Sequence, residues 1–323
     1  VNILPLISVV VPAYNEQEVL TVFHERLSKA LVSVRYSIEI VYINDGSTDN
    51  TLALMEMLYA NDPRVTLVDL SRNFGKEIAL TAGLHKVQGD AVVIIDADLQ
   101  DPPELIPKLI TEWENGYDVV YARRSRRKGE TWLKKASAAG FYRIIQRLSK
   151  VRIPEDTGDF RLLSRRAVDA LNTLSEQHRF MKGLFAWIGY KQKAVYYDRD
   201  PRFAGKTKWD YWKLWNFAID GITSFTTAPL KFATYIGFVT ALFAFIYGSY
   251  MLVRTLFFGN PVPGYPSLIV IILFLGGVQL MAIGVVGEYV GRIFTETKRR
   301  PLYFLNDYKP RRDAENKPIK SPK

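Results

Sequence analysis

Five short apolar runs open the chain: ISVVV from Ile7, IEIVYI from Ile38, VTLVDL from Val65, AVVII from Ala91 and DVVYA from Asp118. Their starts lie 31, 27, 26 and 27 residues apart. β-Branched residues dominate them and polar alternation is weak, the pattern of strands buried on both faces. Residues 16–34, 49–59, 76–87 and 103–115 carry helical patterns between the runs. Ser47 is the expected cap of the second helix, and Pro102-Pro103 the expected start of the fourth. Alternating strands and helices predict an α/β domain, with a mostly parallel sheet, helices on both faces and right-handed crossovers. In such sheets the carboxyl ends of the strands share one edge, and ligands bind there.

The pattern changes after residue 230. Residues 232–253 and 268–287 carry no charge, over 22 and 20 residues. At about 1.5 Å per residue each covers roughly 30 Å, the thickness of a bilayer core. Two buried core helices are the competing reading. Lys231 precedes the first stretch, while Arg292, Lys298, Arg299 and Arg300 follow the second. The positive-inside bias then places both flanks in the cytoplasm. The expected organisation has four parts: a cytoplasmic domain over 1–206, an amphipathic interfacial segment over 207–230, two transmembrane helices within 231–292 (about 232–253 and 268–290), and a basic cytoplasmic tail over 293–323. This describes a multi-pass protein of the inner cell membrane. The interfacial segment mixes Trp209, Tyr211, Trp212, Trp215 and Phe217 with Lys208 and Lys213. Glu288 is expected to pair with Arg292 one turn on. Gly276, Gly277, Gly284, Gly287 and Gly291 would suit a helix-packing face and a homo-oligomer.

Charge sharpens this division. The net +10 of the whole chain conceals a net −10 over residues 1–118 and a net +10 over 123–152, where Glu130 is the one acid. A basic block of that kind meets a polyanion or an anionic membrane surface. The two apolar stretches select membrane lipids, and no base-reading motif argues for nucleic acid. The absence of cysteine excludes disulfides and thiolate chemistry. Three scattered histidines, His24, His85 and His178, argue against a histidine zinc site.

The strand ends carry the chemistry. Pro12-Ala13-Tyr14-Asn15-Glu16 follows the first strand, Asn44-Asp45-Gly46-Ser47 the second, Ser71-Arg72-Asn73 the third, Asp96-Ala97-Asp98-Leu99-Gln100 the fourth and Arg123-Arg124 the fifth. No glycine-rich dinucleotide fingerprint or P-loop is present, so a glycine cradle for phosphates is excluded. Asp96 and Asp98, two residues apart past a strand end, can converge on one divalent cation, with Gln100 as a further oxygen. Oxygen ligands select Mg²⁺ or Mn²⁺, ions that bridge carboxylates to substrate phosphates. A pair of loop-capping aspartates is the plainer reading of the same spacing. Arg123 and Arg124 suit a lipid phosphate, for which arginine offers a bidentate fork.

The set VVVPAYNE, INDGSTDN, DADLQDPPE, GDFRLLSR and RFAGKTK resembles the family 2 glycosyltransferases. Within that family it is similar to the polyprenyl-phosphate and dolichyl-phosphate hexosyltransferases that end in a two-helix membrane hairpin. The likeness covers residues 7–230, and the hairpin extends it to about residue 300. It implies a GT-A-type fold, a nucleotide-diphosphate sugar as donor, a polyprenyl phosphate as acceptor, and Mg²⁺ or Mn²⁺. Carried over by motif, Pro12, Tyr14 and Glu16 line the nucleoside pocket and Asp45 contacts the base. Asp96 serves donor and metal, with Asp98 and Gln100 as further metal ligands. Asp159 is the implied catalytic carboxylate, and Arg202 and Lys208 the phosphate-binding cations of a loop, Arg202 serving the lipid phosphate too. The implied reaction is inverting transfer of a hexose, foremost glucose from UDP-glucose. GDP-mannose, a UDP-amino sugar and a catalytically silent sugar-nucleotide binder remain alternatives. One departure stands out: many relatives have two aspartates where this chain has Asn44-Asp45.

Overall fold

The computed structural model describes residues 5–125, 154, 157–198, 227–258 and 264–312. It divides into two units, one comprising residues 1–216 and 301–323 and the other residues 217–300. The expected interfacial segment up to residue 226, and the basic block beyond Ser125, lie outside the described residues.

In the first unit all five expected strands form: β1 (Leu6–Ala13), β2 (Ser37–Asn44), β3 (Val65–Leu70), β4 (Ala91–Ile94) and β5 (Val119–Arg124). Between them lie α1 (Leu20–Leu31), α2 (Thr51–Asn61), α3 (Lys76–Lys86) and α4 (Ile106–Glu114), the last entered through a 3₁₀ turn at Pro103–Leu105. Three further strands complete the sheet: β6 (Thr157–Ser164), β7 (Gln192–Tyr197) and β8 (Leu305–Lys309). Two short helices, α5 (Arg165–Asn172) and α6 (Met181–Trp187), separate β6 from β7. The strand order is β7-β5-β6-β4-β1-β2-β3-β8. Six strands run one way; β6 and β8 run against their neighbours. The expectation of a mostly parallel sheet is met, with these two exceptions.

The alternating side chains of the strands feed two cores. Ile7, Val9 and Val11 of β1 face Phe23 and Leu27 of α1 and Leu109 of α4 in one cluster. On the other face α3 lies so close that a Cβ at Gly83 would stand 2.7 Å from Val10 Cγ1 and 2.8 Å from Ile43 Cδ1. A glycine there lets the helix approach the parallel strands. The six parallel strands carry their carboxyl ends to one rim, and β6, being antiparallel, enters from that same rim. Its first residues, Thr157, Gly158 and Asp159, therefore join the ends of β1, β2 and β4.

β8 changes the expected end of the chain. Residues 293–323 were to be a basic tail, yet Leu305–Lys309 pairs antiparallel with β3 as the last strand of the sheet. Its sequence, LNDYK, has an exposed polar face that hides a strand from periodicity. The join is dense in polar contacts. Ser71 N donates to Phe304 O at 3.0 Å, Tyr59 OH to Pro310 O at 3.2 Å, and Asn306 Nδ2 to the buried Asp69 Oδ2 at 2.7 Å.

Among the described residues, the second unit holds α7 (Ala228–Phe258) and α8 (Tyr265–Thr297), 31 and 33 residues long. Both are long and apolar enough to cross a membrane, and neither apolar window is buried. Phe243, Phe245, Tyr250, Phe274 and Met281 are among the large side chains they expose. That exposure is opposite to a core helix of a water-soluble protein. Both helices extend past the expected spans of 232–253 and 268–290. Glu288 pairs with Arg292 as expected, Oε1 to Nη2 at 3.0 Å.

Candidate active site

Backbone and side chains lace the loop after β1 to the loop after β2. Asn15 holds a positive φ of 54°, a conformation asparagine tolerates better than most residues. Its N–H donates to Ser47 Oγ at 3.0 Å, and its Oδ1 accepts from Thr48 N at 2.8 Å. Glu16 N donates to Thr51 Oγ1 at 2.8 Å. Ser47 was expected to cap α2. Its hydroxyl instead serves Asn15, and Asn50 occupies the cap position without a side-chain bond. Pro12 is buried here, and Tyr14 and Glu16 are half-buried.

Asp45 is buried, and both of its oxygens face backbone N–H groups: Phe74 N at 2.7 Å and Gly75 N at 3.0 Å. Burial raises its pKa, against the pull of those two N–H groups and of Arg72. Asp45 thus fastens the β3–α3 turn onto the end of β2. Asn44 beside it is buried as well. Its Nδ2 donates to Asp69 Oδ1 at 2.7 Å and its Oδ1 accepts from Ser47 N at 3.1 Å. The amide at 44 suits this neighbour: an acid there would face the buried carboxylate of Asp69. Gly46, at φ 62°, lets β2 turn against the backbone of Arg72 and Asn73.

The Asp96–Gln100 loop is held in a strained shape. Leu99 has φ 59° and is buried, so packing holds a conformation its side chain disfavours. Asp98 Oδ1 accepts from Gln100 N at 3.1 Å, tightening the turn. Beyond it, Asp101 is buried and bonded to the Tyr197 hydroxyl.

Asp96 and Asp159 meet across the neighbouring strands β4 and β6, and a residue the sequence reading passed over joins them. Lys76 Nζ lies 2.7 Å from Asp96 Oδ2 and 2.5 Å from Asp159 Oδ2. Lys76 is the first residue of α3, the end where a helix dipole disfavours a cation. That mismatch was the available sequence signal that acids elsewhere hold it. Burial alone would raise Asp159, but Lys76, Lys182 and Arg161 outweigh it and hold its pKa well below the carboxylate range. Burial pushes Asp96 up to about 6, with Asp159 adding to the rise and Lys76 opposing it. Glu77 is raised to about 7 by burial and by Asp159, and accepts from Met181 N at 3.2 Å. Arg161 braces the start of β6: it donates to Gly158 O at 2.9 Å and to Asp159 O at 3.2 Å, with its guanidinium 3.7 Å from the centre of the Phe185 ring.

A metal fits this rim in a particular way. Among the described residues no group of three or more His, Cys, Asp or Glu side chains gathers to hold an ion. Asp96 Oδ1 and Asp159 Oδ1, however, are buried acceptors with no hydrogen-bond partner. A site with one or two carboxylates is what Mg²⁺ uses when substrate phosphates supply further oxygens. Asp96 and Asp159 thus present open oxygens that a divalent ion shared with a phosphate ligand could use.

Arg123 and Arg124 end β5 and, as neighbours in a strand, point to opposite faces. Arg123 stacks on Tyr196, 5.7 Å from the ring centre, while an Arg124 nitrogen lies 3.5 Å from where a Gly158 Cβ would stand. Arg202 and Lys208 lie outside the described residues. A cavity of about 370 Å³, lined among others by His24, Asp62 and Arg64, lies at the opposite rim, where β3 begins. There Arg64 Nη2 pairs with Asp62 Oδ2 at 2.6 Å, and His24 Nε2 lies 3.5 Å from the same oxygen.

Comparison with known proteins places this architecture. Residues 8–171 match Glycosyl transferase family 2, and residues 228–293 match the GtrB C-terminal hairpin. An uncharacterised glycosyltransferase of Synechocystis sp., sll0501, is 53% identical over 93% of this chain and 95% of its own length. The bactoprenol glucosyl transferase of Shigella phage SfV is 50% identical over 94% of this chain and 99% of its own. The prophage bactoprenol glucosyl transferase homolog of Escherichia coli K12 is 49% identical over the same shares. With a family match over β1 to β6, a matching hairpin and relatives about 50% identical over most of both chains, one conclusion stands: the chain belongs to glycosyl transferase family 2.

Proposed function

We propose that this protein transfers glucose from UDP-glucose to a polyprenyl phosphate at the cytoplasmic face of the cell membrane, with inversion at the anomeric carbon. The observation that carries the reading is the near full-length match, at 49–50% identity, to proteins named bactoprenol glucosyl transferase. An oxygen of the lipid phosphate attacks the anomeric carbon. The bond from that carbon to the UDP oxygen breaks, and its electron pair leaves on UDP. A single displacement of this kind inverts the centre.

Pro12, Tyr14 and Glu16 line the nucleoside side of the rim, with Asp45 at the base. Asp96 and Asp98, with Gln100, would hold Mg²⁺ or Mn²⁺. Such an ion supplies positive charge to the diphosphate as it departs. Arg202 and Lys208 serve the same phosphates from the following loop. Asp159 orients the acceptor. A lipid phosphate is already largely ionised near neutral pH, with a second pKa of about 6, so it needs little help from a base. With Lys76, Lys182 and Arg161 around it, the Asp159 carboxylate is held well below its usual range and is a weak base, which argues against proton removal and for holding cations beside the acceptor. Arg124, beside Gly158, and Arg202 are the proposed ligands of the lipid phosphate; Arg123, expected with them, lies on the other face of β5 against Tyr196.

The hairpin anchors the protein in the membrane, with both of its flanks cytoplasmic. Lys231 before α7 and Lys298, Arg299 and Arg300 after α8 support that orientation. The pairing of β8 with β3 supports placing both flanks on one side, since the segment after α8 shares a sheet with the segment before α7. The test is a donor screen of the purified full-length protein with polyprenyl phosphate and Mg²⁺ or Mn²⁺, scoring lipid product and released nucleotide. Glucosyl lipid and UDP in equal amounts are expected. Transfer only from GDP-mannose or a UDP-amino sugar would change the donor, and donor binding without turnover would replace the transferase reading.

A further inference from the structure

Lys76 stands between two acids that the proposed reaction uses separately. Asp96 belongs to the donor and its cation, Asp159 to the acceptor. One ammonium meets one oxygen of each, at 2.7 and 2.5 Å, and leaves the other oxygen of each buried and unpartnered. One positive charge therefore faces two negative ones, and two acceptors remain open to a cation. A divalent ion on Asp96 would sit within a few ångströms of that ammonium and repel it. The Lys76 side chain is 45% exposed and rides on a flexible four-carbon stem, so turning its ammonium away breaks two ion pairs but unpacks no core. Once displaced, it needs another anion, and the donor diphosphate arrives at this same rim.

We propose that Lys76 is a resident counter-ion that withholds Asp96 from divalent metal until a nucleotide diphosphate is bound, so that metal and donor enter cooperatively. The inference rests on the metal reading of Asp96 and Asp98 given above and adds an order to it. In the resting protein the ammonium neutralises the acids. With a diphosphate present it turns to the phosphate oxygens, and Asp96 is released to the ion. Lys76 also links the donor acid to the acceptor acid, so the same movement loosens its hold on Asp159 and leaves Lys182 and Arg161 as the cations around that carboxylate.

The experiment uses the full-length protein in detergent and follows free Mn²⁺ by its paramagnetic resonance signal, with and without UDP. Lys76→Met removes the charge and preserves length; Lys76→Gln is a second, polar variant should the first fold poorly; Lys76→Arg keeps the charge. In the unaltered protein, nucleotide-free Mn²⁺ binding is expected to be weak and to strengthen when UDP is added. Lys76→Met or Lys76→Gln should tighten nucleotide-free binding by roughly tenfold or more, since one unit charge leaves the neighbourhood of a divalent ion. The same variants should lose most of the strengthening by UDP, and Lys76→Arg should retain it. Adding Asp98→Asn to Lys76→Met should abolish the gain. Unchanged or weaker nucleotide-free binding in a folded Lys76→Met or Lys76→Gln, with Asp98→Asn still abolishing Mn²⁺ binding, overturns the role of Lys76. Failure of the UDP-loaded protein to bind Mn²⁺, or indifference of binding to Asp98→Asn, overturns the metal site itself and the inference with it.

Discussion

Replacing Asn44 by aspartate would change three atoms' chemistry and almost no volume, yet the structure assigns it a large, pH-dependent cost. Asn44 and Asp69 are 2% and 4% exposed, and the amide nitrogen lies 2.7 Å from the carboxylate oxygen. In Asn44→Asp two carboxylates would share that distance. Both cannot ionise there, so the native state retains a proton that the unfolded chain has lost. Holding a carboxyl protonated at pH 7 against a free pKa near 3.9 costs about 4 kcal/mol, at about 1.4 kcal/mol per pH unit. The new O–H donor to Asp69 only stands in for the amide bond that is lost, leaving a net loss of roughly 4 kcal/mol at pH 7. The folded variant binds more protons than the unfolded one, so its stability falls relative to the natural protein as pH rises above about 4. Near pH 5 most of the loss should have disappeared.

Denaturant unfolding in detergent, from pH 5 to 7.5, measures this directly. Asn44→Ala is the control: it loses a hydrogen bond to a charged acceptor, at roughly 1.5–3 kcal/mol, with no new titration. Asn44→Asp with Asp69→Asn restores one donor facing one acceptor and should recover most of the loss. A gap between Asn44→Asp and the natural protein that stays flat across this range, or a double variant no better than the single one, would refute the reasoning.

Three other outcomes are expected. Gly46→Ala should cost roughly 2–4 kcal/mol, because it combines a positive φ with crowding of the neighbouring backbone. The new Cβ would stand 2.4 Å from the backbone of Arg72 and Asn73, and an unchanged melting temperature would show that the loop yields freely. Asp159→Asn should lower turnover by roughly 100-fold or more while leaving UDP-glucose affinity within a few-fold; an unchanged turnover would assign Asp159 to structure. A chain ending at residue 226 loses β8, exposing the β3 edge and leaving Asp69 without its Asn306 donor. That protein should aggregate more readily than one in which a short linker replaces residues 227–300 and β8 is kept, and equal solubility by gel filtration would count against β8 as an edge cover.

The strands that hydrophobic pattern revealed are those that need nothing but burial. β1 to β4 run through the middle of the sheet with both faces covered, so the Val and Ile runs carry their own signal. β6 is just as central, but Asp159 and Arg161 interrupt it, because one serves the rim and the other braces the backbone. Function there overrides the strand pattern. The rim acids were readable because strand ends converge, and Asp96 and Asp98 share one loop. Lys76 was not, because its partners come from 20 and 83 positions away and meet only through the antiparallel entry of β6. The backbone bonds of Asp45 left no trace either, since an N–H acceptor contact needs no particular partner side chain.

The placement of β8 sets an order on the making of this protein. Asp69 and Asn306 are 237 positions apart, and both apolar helices lie between them. A ribosome must therefore release the whole lipid-seeking hairpin before the last strand can reach its place. Until then the open edge of β3 persists, and the carboxamide that Asp69 awaits has yet to be synthesised. Completion of the sugar-handling unit is in this way a late event of biogenesis, following the departure of the greasy segments from the translation tunnel.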